Sequence, residues 1–161
     1  MKVKLNPSEI TLCETFAKKV SDAKNGTYGP TFLQNFTLGI KGEMVYAKIF
    51  NLNTNFCIYE GKQGDGGTDF DGVNVKTVSK SKNKTSDPWL KVSIKQHNRH
   101  RGKVKKYALV VELDDNEFEY MGSIDYYDFE KKKQTVDFGT EKAYYVKVKD
   151  LTRSLSNIVL S

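Results

Sequence analysis

The stretch Gly64-Asp65-Gly66-Gly67-Thr68-Asp69-Phe70-Asp71-Gly72-Val73-Asn74-Val75-Lys76-Thr77 reads as a tight β-hairpin. Asp71-Gly72 is the signal of a two-residue type I′ turn, with strand-like residues on both sides. Such a turn pairs Phe70 with Val73, Asp69 with Asn74 and Thr68 with Val75. Paired residues share a face, and side chains alternate along each strand. Asp69, Asn74 and Lys76 are therefore expected together on one face, with Phe70, Val73 and Val75 on the other. Taken singly, each polar residue also suits the solvent face of a plain hairpin. Together they bring a carboxylate, a carboxamide and an ammonium within roughly 5–8 Å of one another.

Upstream, apolar residues recur at helical spacing before Phe50, in a stripe of Phe36, Ile40, Glu43, Ala47 and Phe50 flanked by Leu33 and Met44. The helix is expected to start near Thr31 or Thr37. Glu43 interrupts the stripe, and a carboxylate there needs a partner, a proton or a cation. Pairing with Lys41 or Lys48 is the plainer alternative. Further upstream, Asn6-Pro7-Ser8-Glu9 opens a helix, with Asn6 as N-cap, Pro7 at N1 and Glu9 at N3. Its apolar face is Ile10, Cys13, Phe16, Ala17, Val20 and Ala23, and Asn25-Gly26 closes it. Tyr28-Gly29-Pro30 separates the two helices, Asn51 to Asn55 is a polar turn, and Phe56 to Tyr59 a short strand. The Gly-rich run Glu60 to Gly67 lacks the GK[ST] and helix of a nucleotide P-loop.

Downstream, Ser- and Lys-rich residues to Ser86 form a connection, and Trp89 to Ile94 alternates as a strand. Lys95 to Lys106 is densely polar, and periodicity does not choose between helix and loop there. Lys106 to Leu113 is apolar enough for a central strand, turned by Asp114-Asp115-Asn116 into an antiparallel partner over Glu117 to Ile124. Asp125 to Lys133 is expected as a short exposed helix. Ala143 to Val148 is expected as a strand, and a last helix is expected from an Asp150 N-cap to Ile158.

At 161 residues, 38% hydrophobic and 29% charged, the chain fits one soluble α/β domain spanning 1–161. No run approaches the ~20 apolar residues of a membrane span, and Met1 to Glu9 has no secretory pattern. Cys13 and Cys57 lack metal-ligand spacing and read as free, core-filling thiols of a reducing cytoplasm, bacterial or phage-infected. The net charge is +6, yet residues 80–106 hold ten Lys/Arg against Asp87 alone, a local +9 that leaves −3 elsewhere. A basic segment on a mildly acidic body suits a polyanion bound in one place. Candidate nucleic-acid contacts are Lys80, Lys82, Lys84, Lys91, Lys95, Gln96, His97, Arg99 and Arg101, with Trp89 or Tyr107 near a base or sugar. His97 and His100 lack a third ligand in sequence, which favours nucleic acid or solvent over a metal.

Hydrolysing a phosphodiester needs charge neutralisation, an activated water and help for the leaving oxygen, which carboxylate-held hard cations supply. Glu43, Asp69, the Asn74 side-chain carbonyl and the Val75 backbone carbonyl make an oxygen set suited to Mg²⁺. Lys76 would hold the attacking water and steady the pentacovalent phosphate.

With these residues the chain resembles the PD-(D/E)XK nucleases of the restriction-endonuclease-like fold. The resemblance lies in Gly42-Glu43 within a helix, Gly66-Gly67-Thr68-Asp69 entering a strand, and Asn74-Val75-Lys76-Thr77 on the next, across residues 37–113. It implies a mixed β-sheet core flanked by helices. It makes Asp69 similar to the metal-binding Asp, Lys76 to the motif Lys, Glu43 to the helix carboxylate and Gln96 to a later glutamine of some branches. The implied activity is that of a Mg²⁺-dependent endodeoxyribonuclease, with Mn²⁺ as a substitute metal. The implied partner is DNA, with RNA left open, and a homodimer would suit cleavage of both strands. Asn74 departs from the pattern by standing where an acid is expected. The alternative is a non-catalytic nucleic-acid-binding or regulatory protein on the same fold.

Overall fold

The computed structural model describes residues 1–23, 30–54, 69–81 and 87–153. In chain order its elements are β1 (Lys2–Lys4), α1 (Pro7–Ala23), α2 (Pro30–Phe50), β2 (Val73–Val78), β3 (Trp89–Ser93) and α3 (Ile94–His100). There follow β4 (Lys106–Asp114), β5 (Glu117–Asp125), α4 (Tyr126–Lys132), β6 (Gln134–Asp137) and β7 (Lys142–Lys147).

Local chemistry sets the helix boundaries. Asn6 Oδ1 accepts the Glu9 N–H at 2.9 Å, and Glu9 Oε1 accepts the Asn6 N–H at 2.9 Å. This reciprocal capping box starts α1. Asn51 adopts φ 53 after α2, and the Leu52 N–H turns back to the Ala47 carbonyl at 2.8 Å, which ends that helix.

The strands form two sheets. One is mixed, in the order β1-β5-β4-β2, with β4 antiparallel to β5 and parallel to β2. The other, β3-β7-β6, is antiparallel. β4 is interior to its sheet, as an apolar run on both faces requires. On one face Val73, Val75, Ala108 and Val110 pack under α1 and α2, against Cys13, Val45 and Ile49. On the other, Tyr107, Leu109 and Val111 pack against Leu90 and Val92 of β3, Val146 of β7 and Phe129 of α4. The result is a helical layer, a mixed sheet, and a third layer built from the small sheet and short helices. Burial pushes the Cys13 thiol up to about 11, with Glu43 adding to the rise, so this cysteine is inert core.

Three expectations need correcting, and two strands were not foreseen. The Asp71-Gly72 turn is not type I′, because of its two central residues only Gly72 has a positive φ, 72°. The helix α4 is not simply exposed: Tyr126 and Phe129 anchor it in the core. Asp150 ends a 3₁₀ turn, Val148–Asp150, instead of capping a helix, and Thr152 then bridges Ser123. β1 and β6, at three and four residues, are too short to show alternation in sequence. The Asn25-Gly26 cap, Cys57, the Phe56–Tyr59 strand, the Glu60–Gly67 loop, the Thr68 pairing and the end of the last helix lie outside the described residues. Among the described residues no helix is long and apolar enough to cross a membrane.

Candidate active site

The hairpin closes through a bridge between Phe70 and Val73, as the sequence suggests. The Val73 carbonyl accepts both the Asp69 N–H (2.8 Å) and the Phe70 N–H (3.2 Å). Two residues thus oppose one, a bulge that re-aims the side chain it displaces. The displaced side chain is that of Asp69. Its Oδ2 crosses to the Val75 N–H at 2.6 Å. Asp69 therefore does not take up cross-strand pairing with Asn74; it lies at the edge of β2 opposite β4. The N–H and C=O of one strand residue leave on the same edge, so the Val75 carbonyl faces the side where this carboxylate sits. The turn itself is clamped, because the Gly72 carbonyl accepts the Lys105 and Lys106 N–H groups at 2.7 and 3.1 Å.

Glu43 comes from α2, and a glycine decides how near that helix can come. A Cβ on Gly42 would lie 1.9 Å from Thr77 Oγ1 of β2. Only a residue without a side chain permits this approach, and it seats the Gly42-Glu43 turn directly beside the motif strand. Glu43 itself is half-buried there.

Asn74 and Lys76 point to the face away from α2. Asn74 is only 7% exposed and stands next to its cross-strand neighbour Tyr107. Lys76 is half-buried, and its Nζ donates to Gln96 Oε1 at 3.3 Å. Gln96 is held in turn: it is the third residue of α3, and its N–H is accepted by the Ser93 N-cap hydroxyl at 3.1 Å.

A buried polar chain fixes α3. The Tyr107 hydroxyl lies 2.9 Å from His97 Nδ1 and 2.8 Å from His100 Nδ1, while His97 Nε2 meets the Glu130 carboxylate. Neutral imidazoles satisfy every link. His100 donates to Tyr107, Tyr107 to His97, and His97 to Glu130, which Lys133 also binds at 2.7 Å. Burial lowers the His97 pKa below its ordinary value despite the nearby Glu130 carboxylate. Lys133 first, and then His97, hold the Glu130 carboxyl below the usual range. Burial pushes the Tyr107 phenol upward, so it stays protonated.

The candidate nucleic-acid residues therefore separate. His97 is fully buried and structural, and Tyr107 is buried as well, so neither contacts a polymer. Lys80 Nζ is paired with Asp115, and its backbone N–H reaches Glu112 Oε1 at 3.0 Å. Lys95, Arg99 and Arg101 are exposed on and just after α3, the helix that carries Gln96, and Arg101 reaches the Tyr126 side chain. Lys91 stands over the Phe138 ring, 5.1 Å from its centre. Lys82 and Lys84 lie outside the described residues. Among the described residues no group of three or more His, Cys, Asp or Glu side chains is gathered as a metal cluster. At β2 the Asp69 carboxylate and the Val75 carbonyl share the edge and the Asn74 carboxamide lies on the face away from α2, hard oxygen donors of the type Mg²⁺ takes, while Glu43 sits on α2 close enough to Cys13 to raise its thiol pKa.

Sequence reasoning missed Tyr107, His100 and Glu130 as supports of the site, since nothing in a linear pattern joins them. It also missed Gly42 as the seat of α2. No protein-family model, no curated protein and no solved structure matches this chain.

Proposed function

We propose that the chain is a Mg²⁺-dependent DNA endonuclease of the restriction-endonuclease-like type. The observation that carries the reading is the bond from the Val75 N–H to Asp69 Oδ2 at 2.6 Å. It orients a carboxylate beside the Val75 carbonyl, one residue from an ammonium that is itself held by Gln96 at 3.3 Å. An ordinary solvated hairpin needs neither restraint. The topology supports the same reading: a long helix precedes the hairpin, and the motif strand lies parallel to a central strand that follows a further helix.

Asp69 and the Val75 carbonyl would hold the cation at the β2 edge, with Glu43 approaching from the α2 side or Asn74 from the opposite face. When bound, the cation neutralises phosphate charge and lowers the pKa of a coordinated water. Lys76 holds the attacking water or a phosphate oxygen and stabilises charge that develops in the transition state. Gln96 keeps the Lys76 ammonium in place, and the exposed Lys95 and Arg99 draw in the phosphate backbone.

A second reading, a non-catalytic nucleic-acid-binding protein, is favoured by one observation: a neutral Asn74 occupies the acidic position and is 7% exposed. One experiment separates the two. The wild type and Asn74→Asp are incubated with supercoiled, linear, branched and single-stranded DNA and with RNA, in Mg²⁺, Mn²⁺ or EDTA. The nuclease reading expects metal-dependent DNA cleavage by the wild type, enhanced in Asn74→Asp. DNA binding with no hydrolysis by either protein in any metal establishes the second reading instead.

A further inference from the structure

A cleft of about 460 Å³ opens beside the candidate active site, and Lys76 lines it. Its volume lies within the ~300–1,000 Å³ of ordinary ligand sites. Trp89, Lys91 and Phe138 form the far wall. Trp89 stacks on Tyr145 with centres 4.1 Å apart and planes 12° apart, which braces it from the small sheet. Phe138 is 52% exposed, unusual for a large apolar side chain, and the Lys91 ammonium stands over its ring. Alternation along β3 explains the arrangement. Leu90 and Val92 point into the core, which leaves Trp89 and Lys91 on the outer face. The lining carries two ammoniums, Lys76 and Lys91, against the single carboxylate of Asp87.

Flat aromatic surface interleaved with ammoniums is the chemistry of unpaired nucleotides: rings stack with bases, and cations follow the phosphates. A paired base is already stacked within its duplex and offers no face to Phe138. We infer that this cleft takes an unpaired nucleotide of a nucleic-acid strand, which makes the substrate a single-stranded, frayed or branched structure instead of an uninterrupted duplex. The inference rests on the nuclease reading for the bond that is cut, but not for the binding itself. A base stacks at Phe138 and Trp89, its phosphate meets Lys91, and the next phosphate along the strand reaches Lys76.

The test is a fluorescence-anisotropy titration in EDTA, where hydrolysis does not intervene. Labelled oligo(dT), oligo(U) and a blunt duplex of equal length are bound to the wild type, Phe138→Ala and Lys91→Ala. The expected result is single-strand binding at least tenfold tighter than duplex binding. Phe138→Ala should weaken it about tenfold or more, and Lys91→Ala should flatten its salt dependence. Comparing oligo(U) with oligo(dT) tells whether the cleft takes RNA as well as DNA. Phe138 is exposed, so its variant folds, and circular dichroism checks this. Equal affinity for single strand and duplex overturns the inference, as does a preference that survives both substitutions. Cleavage in Mg²⁺ is scored separately. Single-strand binding without cleavage keeps the cleft and removes the nuclease, while cleavage without single-strand preference does the reverse.

Discussion

Asp69 and His97 have opposite fates at the scale of single residues. Both are polar residues in segments that read as functional. Asp69 is turned by a bulge onto the edge of β2, where its carboxylate accepts the Val75 N–H. His97 is turned inward, where burial and the Tyr107 hydroxyl make it structural. Its lowered pKa has a consequence for stability. In the unfolded chain the imidazole titrates near 6.5, whereas in the folded protein it resists protonation to lower pH. Between those two values the unfolded state binds more protons, so folding stability falls as pH drops. The stabilisation is complete above about 6.5 and is lost progressively below. Urea denaturation at pH 5.5 and 7.5 should give a lower midpoint at the acid pH, with a smaller difference in His97→Gln. A flat profile in the wild type would contradict the buried neutral histidine.

At the scale of elements, the contact between α2 and β2 matters most, and it depends on Gly42. An alanine Cβ would collide with Thr77 Oγ1 at 1.9 Å, so either the hydroxyl or the helix must move. Overpacking of this kind costs about 1–3 kcal/mol. Gly42→Ala should lower the urea midpoint accordingly and shift Glu43 relative to Asp69, reducing cleavage even where the protein stays folded. Gly39→Ala, three residues earlier with open space around it, should leave stability unchanged or slightly raised, since alanine favours helix. Equal effects at both positions would remove the close approach from the account. The elements were mostly legible in sequence. The Asn6 capping box, the 21-residue α2, the interior β4 and its return strand β5 all carry strong local signals. The polar run at 95–106 could not be told as helix or loop, because α3 spans only seven residues and is held by a serine cap and buried histidines instead of an apolar stripe.

On the scale of the whole molecule, a mixed sheet carries helices on one face and a second small sheet on the other, and among the described strands the motif strand lies at its edge. The edge position leaves the β2 backbone open to Asp69 on one side while β4 anchors it on the other. That arrangement was only partly legible. Alternation along the strand, which is local, put Asn74 and Lys76 on one face, whereas turn chemistry placed Asp69 opposite Asn74, where it is not found. The bulge that redirects Asp69, the Gly42 contact and the partition of the basic residues between ion pair, core and surface depend on tertiary packing, which has no period in sequence.

The central claim is that Asp69, oriented by Val75, and Lys76, held by Gln96, form one hydrolytic site. The most direct measurement is Mg²⁺-dependent DNA cleavage by the wild type, Asp69→Asn and Lys76→Ala, each first shown to be folded by its urea midpoint. The account predicts cleavage by the wild type, abolished in EDTA and reduced at least a hundredfold in each variant, the scale on which single transition-state contacts act. Cleavage that persists undiminished in both folded variants would contradict it.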